Sequence, residues 1–426
     1  MVCLPLPCRP VVRFCAAGRL VVCGQAWALQ CGAIDDATER VGMIYLDNAA
    51  TTYVHPAVLE AMLPYLSDVC ANPGAQHSAG RAARYAVDEA REDVAGELGC
   101  KPGEVVFTSG GSEADNQALR TAAAWGQAHG RTRIVSSQIE HPAILNTLSE
   151  LMIEGFSVTL LAPSAEGVVS VEDIAQAMGP DVCALSLMAV NNEVGTVQPF
   201  EEAARLAHEA GALFHTDAVQ GAGHVGIDIE AMDIDMLSVS AHKFHGPKGV
   251  GLLVCRNQAF GEPLAPVSLI LGGGQERGRR AGTENVPGIV GLAAALKEAN
   301  RDLPRYQEEV SALRDMLQRE LSDIEGAHVL GEHAPRIAGT LGLCFEGVDR
   351  QALVAALDRK GVCAAGGSAC ESGATHPSPV LTAMGIAPEL ARGQLRMSLS
   401  VDTTAEEIAA AAQTIKDTVA HLRALA

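Results

Sequence analysis

Met236-Leu-Ser-Val-Ser-Ala-His-Lys-Phe-His-Gly-Pro-Lys-Gly-Val-Gly251 reads as an apolar strand that ends in Ser240, His242 and Lys243. A rigid Gly246-Pro247 corner follows, and then a second apolar run from Val250 to Cys255. A lysine at the end of a buried strand is costly unless it is paired or used chemically, because its charge must leave water. Holding the amine as a Schiff base relieves that cost. A side chain that merely reaches solvent from the strand end relieves it too, and this segment alone leaves both readings open.

The same order of strand, polar cluster and helix recurs upstream. Val105-Val106-Phe107 ends at Thr108-Ser109-Gly110-Gly111-Ser112-Glu113, which opens a helix through Ala124. Arg133 to Ser137 ends at Glu140-His141-Pro142, and Cys183 to Val190 at Asn191-Asn192-Glu193-Val194-Gly195. Ala212 to His215 ends at Asp217-Ala218-Val219-Gln220. Strands alternating with helical patterns predict an α/β fold with a mainly parallel sheet and helices on both faces. Open sheets of this kind bind ligands beyond the carboxyl ends of their strands. Ser112, His141, Asn192, Asp217 with Gln220, and His242 with Lys243 all fall there, which points to one shared site.

Composition narrows the function. The chain has 426 residues, 48% hydrophobic and 19% charged, which predicts a soluble globular protein of about two domains. With 31 basic and 51 acidic residues the net charge is -20, and this argues against nucleic acid, whose binding rests on Lys and Arg neutralising phosphates. No apolar run reaches the roughly 20 residues a membrane helix needs. Of 12 cysteines, Cys3, Cys8, Cys15, Cys23 and Cys31 crowd the N-terminus without a C-x-x-C pair. The rest are scattered, as reduced thiols in a cytoplasmic protein would be.

Residues 1–42 carry Arg9, Arg13 and Arg19 with no acid before Asp35, and two of these arginines break the would-be apolar region of a secretory signal. This segment reads as a disordered extension or an incorrectly assigned start. The expected organisation is then an N-terminal segment, 43–56, packing with the smaller domain, a large domain over 57–300, and a small α+β domain over 301–426. A Gly/Arg loop from Ile270 to Asn285 precedes a long helical stretch, Val286 to Leu321, interrupted near Pro304. A strand at Thr340 to Phe345, a helix at Arg350 to Lys360, a strand at Leu395 to Leu399 and a final helix from Ala405 make up the small domain.

Each cluster has a plainer alternative. Gly110-Gly111-Ser112 at a helix start suits a phosphate, since backbone N–H groups and the dipole favour an anion there, or it is an ordinary helix cap. Asp217 suits the protonated ring nitrogen of pyridoxal phosphate, or it is a cap or salt bridge. His141 could stack on a ring or move protons, or be structural. Arg396 suits bidentate capture of an amino-acid carboxylate, or an interdomain salt bridge. Cys370, in Gly366-Gly367-Ser368-Ala369-Cys370-Glu371-Ser372-Gly373, sits in a small-residue loop with little to bury it, where a nucleophile is favoured over a structural thiol.

Taken together, these stretches resemble the cysteine desulfurases of the NifS/IscS type, in the class-V aminotransferase family. The resemblance rests on Tyr-Leu-Asp-Asn-Ala-Ala-Thr-Thr at 45–52, Thr-Ser-Gly-Gly-Ser-Glu-Ala-Asp-Asn at 108–116, Glu-His-Pro at 140–142 and Asn-Asn-Glu-Val-Gly-Thr-Val-Gln-Pro at 191–199. It continues through His-Thr-Asp-Ala-Val-Gln at 215–220, Ser-Ala-His-Lys-Phe-His-Gly-Pro-Lys-Gly at 240–249, Gly-Gly-Gly-Gln-Glu-Arg-Gly-Arg-Arg-Ala-Gly-Thr at 272–283, Gly-Ser-Ala-Cys at 367–370 and Leu-Arg-Met-Ser at 395–398. Coverage runs from Met43 to the end.

The resemblance implies a fold-type-I pyridoxal-phosphate transferase acting as a homodimer. Lys243 would hold the cofactor, His141 stack over its ring and Asp217 pair with the ring nitrogen. Asn192 and Gln220 would lie near the ring hydroxyl and substrate. Gly111, Ser112, Ser240 and His242 would hold the phosphate, with Thr283 supplied by the other subunit. Asn48, Asn192 and Arg396 would bind the substrate, L-cysteine, and Cys370 would accept its sulfur, with a sulfur-acceptor or iron–sulfur scaffold protein downstream. Cys370 is also a candidate transient iron–sulfur ligand, and no other metal ligand is expected. Selenocysteine lyase, or another fold-type-I reaction, is the alternative. Three departures from the common pattern are Ser398-Leu399-Ser400-Val401, where many relatives have Ser-Leu-Gly-Arg, Asn-Pro-Gly-Ala-Gln-His at 72–77, and Ser112, which keeps the hydroxyl where threonine is usual.

Overall fold

The computed structural model describes residues 11–14, 20–23, 42–367 and 377–425. The chain divides into two units, Met1–Met43 and Ile44–Ala426. In the first, Val11–Phe14 and Leu20–Cys23 pair antiparallel.

The second unit is built on a seven-stranded sheet. In chain order its strands are β2 (Val105–Thr108), β3 (Arg133–Ser137), β4 (Ser157–Leu161), β5 (Val182–Ser186), β6 (Leu213–Asp217), β7 (Met236–Ser240) and β8 (Gly251–Cys255), after a short β1 (Ile44–Tyr45) that lies elsewhere. Their spatial order is β2-β8-β7-β6-β5-β3-β4. Only β8 runs against its neighbours, pairing antiparallel with both β2 and β7, so the sheet is mainly parallel. Strands β2, β5, β6, β7 and β8 are buried along their whole length, as expected of strands with helices on both faces. Edge strand β4 is half exposed, and its Ser-Val-Thr-Leu-Leu sequence gives neither a continuous apolar run nor a clean alternation.

Helices α1 (Pro56–Ser67), α2 (Ser78–Leu98), α3 (Gly111–Ala128) and α4 (Pro142–Ile153) come from this half, and α3 packs on β7 and β8. Helix α5 (Val286–Arg305) packs on α1 and α2 through Ile289, Leu292 and Leu296, each fully buried and worth roughly 1.5–3 kcal/mol in water exclusion. The interruption expected near Pro304 is a widened turn at Tyr306–Val310, after which α6 (Ser311–Ser322) continues. Proline cannot donate to the preceding turn and crowds its carbonyl, which loosens the ladder without ending the helix.

Tyr306 belongs to a second core with Leu317, Leu321, Leu341, Leu343, Phe345, Leu395, Met397, Ile408 and Ile415. This core lies on a three-stranded antiparallel sheet of β9 (Ala327–Val329), β10 (Thr340–Phe345) and β12 (Gln394–Ser398), backed by α7 (Ala405–Leu425). Leu46 is buried in it, and β1 pairs in parallel with β11 (Val362–Cys363). The Gly/Arg loop after β8 is pinned by a buried ion pair. Glu276 takes Arg91 on both carboxylate oxygens, at 2.6 and 2.9 Å, and also accepts from the Phe107 backbone N–H.

Candidate active site

Ala49, Ala50, Gly111, Ser112, Asp115, His141, Asn192, Asp217, Gln220, Ser240, His242, Lys243 and Arg396 line one cleft of about 210 Å3. It sits at the carboxyl ends of β2, β3, β5, β6 and β7, where the strand-end pattern placed it. Asn48 and Thr283 do not join this group. Asn48 donates to the Ser398 carbonyl at 2.7 Å and faces a second, smaller hollow with Thr52, His55 and Tyr306. Thr283 is exposed on the Gly/Arg loop, outside this chain's cleft. Cys370 lies outside the described residues. The chain on either side of its segment is tied close by: Ala365 exchanges backbone hydrogen bonds with Arg396, and Ser378 donates to buried Glu193 at 2.7 Å.

Lys243 leaves the 3-10 turn after β7, and its Nζ donates to the Ala49 and Ala50 carbonyls at 2.7 and 2.9 Å. The Ala49 carbonyl also accepts from Gln220 Nε2 at 2.8 Å. The Asn-Ala-Ala-Thr turn after β1 therefore closes over the lysine. Next to it, His242 meets Thr51 Oγ1 at 3.1 Å, and burial, helped by Lys243 and Lys248, pushes its imidazole down to about 4. It is neutral at physiological pH.

His141 caps α4 just as His55 caps α1. Each precedes a proline at the first helical position, and each Nδ1 accepts a backbone N–H two residues on. With Nδ1 accepting at 3.1 Å from Ala143, neutral His141 carries its proton on Nε2. Burial holds its pKa below the usual imidazole value, with Lys243 acting the same way and Asp217 opposing. Asp217 ends β6, is 5% exposed, and accepts the Val219 N–H at 2.9 Å. Burial raises its pKa, while His141 and Lys243 pull it back down.

Below Asp217 lies a polar layer that sequence reasoning missed. His215 bonds Ser186 and Ser238 through its two ring nitrogens at 2.9 and 3.0 Å, and burial pushes it down to about 3. Asp115, on α3, is 1% exposed; burial and the nearby Asp217 carry it well above the carboxylate range. Glu140 accepts from Ser137 and from the Met188 N–H, and burial pushes it up to about 8. Neighbouring carboxyl groups cannot all ionise in a low-dielectric interior, and of these three Asp217 is the one whose pKa His141 and Lys243 pull back down, so a negative charge in this layer is most favoured there.

At the other end, Arg396 projects from β12 with its side chain 2% exposed. Nη1 donates to the Asn192 carbonyl at 2.7 Å and Nη2 to Asp47 at 2.9 Å. Nε is buried with no partner among the described residues, a vacancy that costs about 1–3 kcal/mol, more for a charged group.

This donor set fits pyridoxal phosphate. A side chain at Gly111 would place Cβ 2.5 Å from Val219 Cγ2, so glycine keeps the start of α3 open against the cleft. That helix start, with Ser112 and Ser240, offers hydroxyls and oriented N–H groups to a phosphate. Asp217 offers a buried charge to a ring nitrogen, and Lys243 an amine to an aldehyde.

Residues 44–410 match the family model for class-V aminotransferases. A cysteine desulfurase of Cereibacter sphaeroides is 46% identical over 385 residues, covering 90% of this chain and 97% of that one. The cysteine desulfurase IscS of Methanosarcina thermophila is 41% identical over 380 residues, covering 89% and 93%. Among solved structures, a NifS-like protein superposes with a TM-score of 0.82 at 36% identity, covering 89% of this chain and all (100%) of that one. SspA in complex with cysteine gives 0.73 at 37%, covering 83% and 98%. The chain belongs to the class-V aminotransferases, pyridoxal-phosphate-dependent enzymes, and within them to the cysteine desulfurases.

Proposed function

We propose that this cleft holds pyridoxal phosphate on Lys243 and that the enzyme converts L-cysteine to L-alanine, passing the sulfur to Cys370 and then to an acceptor protein. The observation that carries this is the convergence of Lys243, Asp217, the start of α3 and Arg396 on one cleft of about 210 Å3. Gly111, Ser112, Ser240 and His242 are the phosphate seat, His141 covers the ring, Asp217 pairs with its nitrogen, and Asn192 and Gln220 lie at its polar edge. Bound there, the cofactor supplies an electron sink for negative charge at the substrate Cα.

Arg396 holds the substrate carboxylate, and the Lys243 amine takes the Cα proton and returns one to the product. Neutral His141, its Nδ1 fixed by Ala143, presents an Nε2 proton across the cleft. The Cys370 thiolate attacks the substrate sulfur. One S–S bond forms as the C–S bond breaks, the enzyme keeps a persulfide, and alanine leaves with both electrons of the cleaved bond and a proton.

A homodimer is supported by exposed Leu59, Leu63 and Leu66 on α1 and Leu269, Ile270 and Leu271 on the loop leading to Thr283. Among the described residues no helix is long and apolar enough to cross a membrane. Unpaired thiols such as Cys70 and Cys100 support a reducing, cytoplasmic setting. Incubation with L-cysteine should yield alanine and, with a reductant, sulfide in equal amounts. Full turnover by Cys370→Ala would sink the proposal in favour of a reaction that needs no loop thiol, and preferential turnover of L-selenocysteine in direct competition would favour the lyase.

A further inference from the structure

Arg396 is placed by two partners, and one of them is a carboxylate 349 residues earlier in the chain. Asp47 follows β1 and opens the turn that covers Lys243. Its carbonyl accepts from Ala50 and from Tyr45 Oη, which fixes the backbone from which its side chain leaves. The carboxylate meets Nη2 of Arg396 at 2.9 Å, and the Asn192 carbonyl takes Nη1 at 2.7 Å. These contacts commit one N–H on each terminal nitrogen and fix the plane of the guanidinium. Nε is buried and without a partner among the described residues, and each terminal nitrogen keeps one further N–H. A planar guanidinium receives a carboxylate best in bidentate fashion along one edge.

We propose that Asp47 is the positioning residue of the substrate site: it orients Arg396, which lines the cleft, so that its uncommitted N–H groups receive an incoming α-amino-acid carboxylate. This rests on the reading that Arg396 binds that carboxylate. Asp47 itself does not touch the substrate. It also prevents Arg396 from being an unpaired buried cation before substrate arrives, a state in which the side chain would turn toward other acceptors. Because the same turn presents Ala49 and Ala50 to Lys243, Asp47 links the arginine and lysine ends of the cleft through five consecutive polar or small residues, Asp47 to Thr51.

The test uses cofactor-loaded enzyme: steady-state kinetics with L-cysteine, and titration with L-alanine followed by the visible spectrum of the bound cofactor. Asp47→Ala should raise KM and the alanine Kd roughly 10-fold, with kcat within about threefold, the size of one lost hydrogen bond to a charged group. Asp47→Asn, which keeps an acceptor at the same place, should stay within about threefold of the parent on both. In an Arg396→Ala background, Asp47→Ala should add nothing, since a residue acting through Arg396 has no effect once it is gone. Should Asp47→Ala lose its fold, Asp47→Glu is the second variant; it moves the carboxylate by one methylene and should raise both constants.

An unchanged or lowered KM in Asp47→Ala would overturn the inference, making Asp47 a competitor for the arginine rather than its support. Equal losses with and without Arg396 would overturn it as well. If Arg396→Ala itself leaves KM unchanged, the carboxylate reading of Arg396 falls, and this inference with it.

Discussion

The two ends of the cleft are built by different rules. At the end proposed for the ring and phosphate, each side chain comes from the last residue of a strand of one sheet or from the residues just beyond it, so local sequence places it: β2 delivers Ser112, β3 His141, β6 Asp217 and β7 Lys243. At the carboxylate end, Asp47, Asn192 and Arg396 come from three segments, and the contacts that matter span 204 and 349 residues. The first end is set by the sheet. The second exists only once the core holding Leu46 and β12 has assembled beside it. Loss of a group at the ring end should therefore strike chemistry, whereas loss at the carboxylate end should strike substrate affinity.

The largest expected effect tests the ring end. Lys243→Ala should lower kcat by at least about 10^3-fold, because in the proposed mechanism one residue supplies both the cofactor link and the proton transfer at Cα. It should also remove the visible absorbance that survives gel filtration in the parent. A variant that keeps that absorbance in covalent form would show that another amine carries the cofactor. Asp217→Asn should cost less, on the order of 10^2-fold in kcat, with KM nearly unchanged, as loss of one preorganised charge does. A loss confined to KM would erase the division between the two ends.

That division also explains what the sequence makes legible. A buried parallel strand is a short apolar run, and the polar cluster begins where the run stops, so the fold class and the place of the cleft follow from Val105–Phe107, Cys183–Val190 and Met236–Val239. Edge strand β4 escaped because half exposure erases its pattern. Asp47 escaped because an acid in a polar turn resembles any solvated acid, and only the fold brings a buried guanidinium to it. Asp115, Glu140 and His215 escaped for a related reason. Each sits within or beside a recognisable motif, but whether it faces solvent, cleft or interior depends on packing. Asn48 shows the converse: its place in the motif suggests substrate, and its amide is spent on the Ser398 carbonyl.

The smallest expected effect sharpens the account of the ring end, because it concerns the layer beneath the charge rather than the charge itself. Glu140 in the folded protein titrates at about 8, raised by burial from an ordinary 4.5. Unfolded chains lose this proton at the lower value and folded ones at the higher. Between those values the folded state binds more protons, so stability is full below the unfolded pKa and falls as pH rises toward 8, then levels off. Glu140→Gln keeps an acceptor for Ser137 and the Met188 N–H but has no proton to lose. The fall in Tm between pH 5 and 8 should thus be shallower in the variant than in the parent, with the two curves closest at the acid end. Because Glu140 is neutral at neutral pH, kcat there should change by less than about threefold, in contrast to the loss from Asp217→Asn. A parallel pair of Tm curves would mean that Glu140 is ionised in the folded protein, and the negative charge would then be shared across the layer instead of held on Asp217.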